Sequence, residues 1–91
     1  MNTYTVVLEF ENGTYVSQVD AKSESDALLA WCEKIRLERI LGSKSSRFAR
    51  AMEHGVASGL VPVSGVRGTW CFSTLFANRL VLGHMIQTSR E

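Results

Sequence analysis

The stretch from Thr3 to Ala21, TYTVVLEFENGTYVSQVDA, decides the fold. Its first half alternates, with Tyr4, Val6, Leu8 and Phe10 on one side of an extended chain and Thr5, Val7, Glu9 and Glu11 on the other. A period of two marks a half-buried strand. Asn12-Gly13 comes next. A type I′ turn needs positive φ at both central positions, which asparagine tolerates and glycine favours, so this dipeptide between two alternating runs predicts a hairpin. With Asn12 and Gly13 in the turn, Glu11 faces Thr14, and the same-face pairs are Phe10 with Tyr15, Leu8 with Ser17, Val6 with Val19 and Tyr4 with Ala21. The opposite face pairs Glu9 with Val16, Val7 with Gln18 and Thr5 with Asp20. One face is almost wholly apolar and needs a covering layer.

The next segment supplies that layer. Ser23 can accept a backbone N–H at the start of a helix, and Glu24 and Asp26 suit the positive end of the helix dipole. Ala27, Leu28, Trp31, Cys32 and Ile35 then form a stripe at helical spacing, and Gly42 is placed to end the helix. Ser43 to Ser46 can cap a second helix, with Phe48, Ala49, Met52 and Val56 on one side and Lys44, Arg47 and Arg50 on the other. Leu29, Leu37 and Ile40 fall outside the main stripe of the first helix, so they too call for a cover.

From Gly55 to Gly68 the chain is rich in glycine and holds its only proline, Pro62. A connection of this length is either a functional loop or a plain link, and the link is the simpler reading. Thr69 to Phe76 and Leu80 to Thr88 form a second hairpin around Ala77-Asn78. A two-residue loop would set Cys71 opposite His84 and separate Trp70 and Phe72 from Leu80, Leu82 and Ile86. A loop of odd length gathers those apolar residues on one face and is preferred. With either loop both faces carry apolar side chains, so something should lie against the second one. The expected fold is α+β: a four-stranded antiparallel sheet of two hairpins with two helices between them, in the order ββααββ, the helices packed on one sheet face. Residues 1–91 form a single domain.

Composition narrows the function classes. At 91 residues, 45% apolar and a net charge of +1, the chain is of the ordinary globular type. Two cysteines, Cys32 and Cys71, fall far short of the frameworks of small secreted domains. No basic stretch followed by an apolar one opens the sequence, and no apolar run is long enough for a membrane span, so a cytoplasmic location is expected. The possible metal ligands Cys32, His54, Cys71 and His84 are too widely spaced to match a paired-ligand pattern, so no metal and no cofactor is expected. A nucleophilic Cys71/His84 pair would need the disfavoured register and a third group to orient the imidazole. Glu9, Glu11, Glu33 and Glu38 all have places on solvated faces, and the glycines from 55 to 59 lack the Walker spacing.

Charge is unevenly spread: residues 1–42 carry four basic and seven acidic side chains, a balance of −3, and residues 43–91 carry six and two, a balance of +4. Lys44, Arg47 and Arg50, with Arg67 and Arg79, could meet phosphates beside Trp70 or Phe72 as stacking surfaces. The opening hairpin followed by Ser-Glu-Ser-Asp-Ala-Leu at 23 to 28 resembles the HicB-type antitoxins over about the first third of the chain. That resemblance implies binding to a small protein toxin. It stops short of membership, because the Pro-Asp-Leu-Pro-Gly stretch of those proteins has no counterpart here.

The sequence thus points to a non-enzymatic protein-interaction domain acting as a homodimer, because its apolar side chains point in more directions than one small core can absorb. Lys44, Arg47, Arg50, Leu29, Leu37 and Ile40 are the candidate interaction surface. The alternative is an RNA- or DNA-contacting module using the basic second helix.

Overall fold

The computed structural model describes residues 1–54 and 59–89. Strands β1 (Asn2–Phe10) and β2 (Gly13–Ala21) form the first hairpin, helices α1 (Glu24–Glu38) and α2 (Ser45–His54) follow, and β3 (Val61–Pro62), β4 (Thr69–Phe76) and β5 (Arg79–Ser89) complete the described chain. All pairings are antiparallel in one five-stranded sheet of order β2-β1-β5-β4-β3. The fold is α+β as expected, with one strand more than expected. β3 arises inside the connection read as a plain link, where Val61 pairs with Cys71 and Pro62 with Trp70. Proline fits there because an edge strand does not need every N–H. Gly55 and Val56 lie outside the described residues.

The first hairpin forms, but two residues out of the expected register. Glu11 and Asn12 take the turn, with φ of 49° and 67°, and Gly13 pairs with Phe10. A shift of two leaves every side chain on its expected face. It changes the partners on the outer face: Val7 now meets Val16, Glu9 meets Thr14, Thr5 meets Gln18 and Thr3 meets Asp20. Three of these pairs are hydrogen-bonded, Thr14 Oγ1 to the Glu9 carboxylate at 3.0 Å, Gln18 Nε2 to Thr5 Oγ1 at 3.1 Å and Thr3 Oγ1 to Asp20 at 2.7 Å. The expected register would have set valine against glutamate and glutamine. Matching polar with polar and valine with valine outweighs the preference of glycine for the turn.

The second hairpin is a correction of the same kind. Ala77 and Asn78 form a two-residue turn, with φ of 52° and 64°, so Phe76 pairs with Arg79 and Cys71 with His84. The odd-length loop does not occur. Trp70, Phe72 and Phe76 point inward with Val81 and Met85, whereas Leu75, Leu80 and Leu82 are exposed.

The core lies between the inner sheet face and the helices. Tyr4, Val6, Leu8 and Phe10 meet Ala27, Leu28, Trp31, Cys32 and Ile35 of α1 and Phe48, Ala49 and Met52 of α2. Phe48 joins the layers by edge-on contacts with Phe10 at 5.3 Å and Phe76 at 5.5 Å, geometries that add stabilisation beyond area alone. Ser17 faces this apolar layer and is satisfied there by the Trp31 Nε1 proton at 3.0 Å.

α1 begins as expected, with Ser23 Oγ accepting from the Asp26 amide. It ends earlier than Gly42: the helix stops at Glu38, Arg39 turns left-handed at φ 50°, and the Ile40 amide donates to the Ile35 carbonyl. This is the closing pattern in which the residue after the left-handed one packs back on the helix. Ile40 accordingly lies against the core. A 3-10 turn (Gly42–Lys44) leads into α2, and the buried Ser45 Oγ accepts from the Leu41 amide behind it.

Candidate interaction surface

The helices cover one face of the sheet and leave the other bare. On that outer face a single row crosses all five strands: Val16, Val7, His84, Cys71 and Val61 are successive cross-strand partners. Leu82 and Ile86 stand on either side of His84 along β5, and Leu80 and Leu75 are paired beyond Leu82. Val16 is 63%, Leu82 45% and Leu75 71% exposed. In an antiparallel sheet with one solvated face these positions would ordinarily be polar. Here an apolar centre is framed by the hydrogen-bonded polar pairs Thr14 with Glu9, Gln18 with Thr5 and Thr3 with Asp20. β5 is the third of five strands, so His84 stands at the middle of the face and is itself exposed.

The residues singled out from sequence are scattered by comparison. Leu29 and Leu37 of α1 are exposed, but Ile40 is withdrawn against the core, so the three form no common patch. Lys44 is ion-paired with Glu11, and the Arg47 guanidinium lies 5.6 Å from the centre of the Phe76 ring. Arg50 is exposed. With Arg47 and His54 it lines a shallow groove of about 350 Å³ against Leu75 and Phe76. Trp70 and Phe72 face inward, Trp70 partly buried against the core and Phe72 fully buried in it. Arg36 bridges the two helices, bonding Glu53 at 2.6 Å and Glu33 at 2.9 Å. The hydrogen bond to Glu53 first, with the nearby carboxylate charges, raises the guanidinium above its usual value.

The possible metal ligands are not assembled. Cys32 is buried in α1 beneath the inner face, and burial pushes its thiol up to about 12. Cys71 and His84 are neighbours on the opposite face. Among the described residues no three His, Cys, Asp or Glu side chains come together as a metal site would require. The Cys71/His84 pair does have the register a nucleophile would need. Its imidazole is flanked by Val7, Leu82 and Ile86, and the carboxylate on the diagonal, Glu9, is engaged by Thr14. Near the long connection, Arg67, Gly68, Gln87, Thr88 and Ser89 line an open hollow of about 210 Å³, with one cation and no acid or nucleophilic pair.

The sheet and its bare side define a small α+β domain whose distinctive site is an apolar sheet face. No family model matches the chain, and neither a curated protein nor a solved structure matches it. No helix among the described residues is long and apolar enough to cross a membrane.

Proposed function

We propose that this chain is a non-enzymatic protein-interaction domain that acts as a homodimer, joined through the outer face of its sheet. The observation that carries this reading is the apolar row from Val16 to Val61 with its flanking leucines. Size supports a second copy as the occupant. Four long strands about 4.8 Å apart, each some eight residues at ~3.3 Å, present on the order of 500 Å² in projection, and more once corrugation is counted. A standard interface needs about 800 Å² from each partner. A net charge of +1 leaves little long-range repulsion between copies. Two sheets stacked face to face also form an ordinary sandwich, about 10 Å between layers.

The sheet edges are poorer candidates. Lys34 Nζ caps the Gln18 carbonyl at 3.1 Å on the β2 side, and β3 is two residues long with proline as one of them. Both are devices that discourage strand addition. The two cysteines, one of them deeply buried, suit the cytoplasmic location in this reading.

Light scattering over a dilution series tests the proposal. The wild type should have twice the chain mass at high micromolar concentration. Leu82→Asp should be monomeric yet still unfold cooperatively, because Leu82 is exposed within the chain, with an apparent Tm lowered only by the loss of association. Leu37→Asp, on the helical side, should leave the dimer intact. A monomeric wild type defeats the proposal, and dissociation by Leu37→Asp alone moves the interface to the helices.

A further inference from the structure

We infer that assembly through this face is gated by protonation of His84, an inference that rests on the homodimer reading above. Two copies that meet face to face about a two-fold axis use the same patch on both, so the middle of the face is enclosed by the partner's sheet. The middle is His84, on the third of five strands and the third residue of the five-residue row. With layers about 10 Å apart, an imidazole at the middle of the face is closed off from water by the opposing sheet.

Among the described residues no carboxylate is ion-paired with His84. On β1 the direct partner is Val7, and the diagonal residues are Thr5 and Glu9, whose carboxylate is turned to Thr14. On β4 the direct partner is Cys71, and the diagonals are Thr69 and Ser73. Leu82 and Ile86 adjoin His84 along its own strand. The other acid of this face, Asp20, is on the edge strand and accepts from Thr3. A neutral imidazole can be enclosed there at far smaller cost. An imidazolium enclosed in that largely apolar frame would lose its hydration, which opposes assembly.

The experiment is sedimentation equilibrium of the full chain between about pH 8 and about pH 5.5, the interval in which histidine gains its charge. The dimer dissociation constant of the wild type should rise at least ~10-fold on acidification, with a limiting slope of up to two protons per dimer. His84→Gln, which stays neutral, should dimerise at both values with nearly the same constant. Equal wild-type constants at the two values overturn the gating and leave the dimer standing. Equal weakening of wild type and His84→Gln by acid also overturns it, because the responsible group then lies elsewhere. Absence of a dimer in both proteins at about pH 8 removes the homodimer reading itself.

Discussion

Gly83→Ala should destabilise the protein although alanine is ordinarily the better strand residue. Gly83 is the cross-strand partner of Phe72, and its bare Cα is roofed by the ring. A Cβ at this position would stand 2.3 Å from Cζ, 2.6 Å from Cε1 and 2.9 Å from Cε2 of Phe72, well inside contact distance. The ring has little room to retreat, since Phe72 is buried and packs edge-on against Trp31 at 5.2 Å. Overpacking of this kind costs about 1–3 kcal/mol. Relief of the unfolded-chain entropy of glycine returns about 0.4–1 kcal/mol. The net loss is therefore about 1–2 kcal/mol, which for a domain of this size lowers Tm by roughly 5–15 °C. Urea denaturation at fixed protein concentration measures it. Phe72→Leu alone should cost about 1–2 kcal/mol, below the full truncation range. The double variant should be more stable than the two losses predict, by about 1 kcal/mol, because the new methyl occupies space the ring has left. A Gly83→Ala protein as stable as the wild type, or a strictly additive cycle, would refute the steric reasoning.

Three further predictions concern polar and thiol groups. Ser45→Ala should lower stability by about 1–2 kcal/mol in thermal denaturation, because the Leu41 amide loses its acceptor in a buried setting. Cys71 lies on the face proposed to join two copies, so it should be alkylated slowly in the dimer and faster in the Leu82→Asp monomer, whereas Cys32 should react only on unfolding. The sign of its pH effect follows from the raised thiol: the unfolded chain releases the Cys32 proton from about pH 8.5 upward while the folded chain holds it to about 12, so stability is full below that window and falls as pH rises through it. The slope from this group approaches about 1.4 kcal/mol per pH unit, and Cys32→Ala should remove it from the alkaline denaturation profile.

Both hairpins and both helices were legible because each rests on local rules, the period of two around Asn12 and Asn78 and the capped stripe from Ser23 to Ile35. Register was not, because it is settled by partners across the strand. Asn12-Gly13 favoured one alignment, and the ladder of Thr14 with Glu9 and Gln18 with Thr5 selected another. That both faces of the second hairpin are apolar was legible, but the extent of the outer face was not, for the same reason. It becomes a patch only once β1 lies beside β5 and the Ala77-Asn78 turn sends Leu75, Leu80 and Leu82 outward. A second signal was present: Val7 and Val16 occupy the otherwise polar side of the first hairpin. Ile40 was misplaced because the left-handed turn at Arg39, which folds it inward, falls on a residue with no special liking for that conformation.

The pairing of β1 with β5 also bears on how the chain reaches this state. The middle seam of the sheet joins residues more than seventy positions apart, from Glu9 with Leu82 to Thr3 with Ser89. Each hairpin can zip early from its own tight turn, on the order of microseconds, but neither has a filled neighbour until the two ribbons find each other. Closing so long a loop is slow beside the formation of either hairpin. During synthesis the leading hairpin must wait with a naked edge on β1 until the trailing one is made, and that interval is when wrong strand pairings would compete.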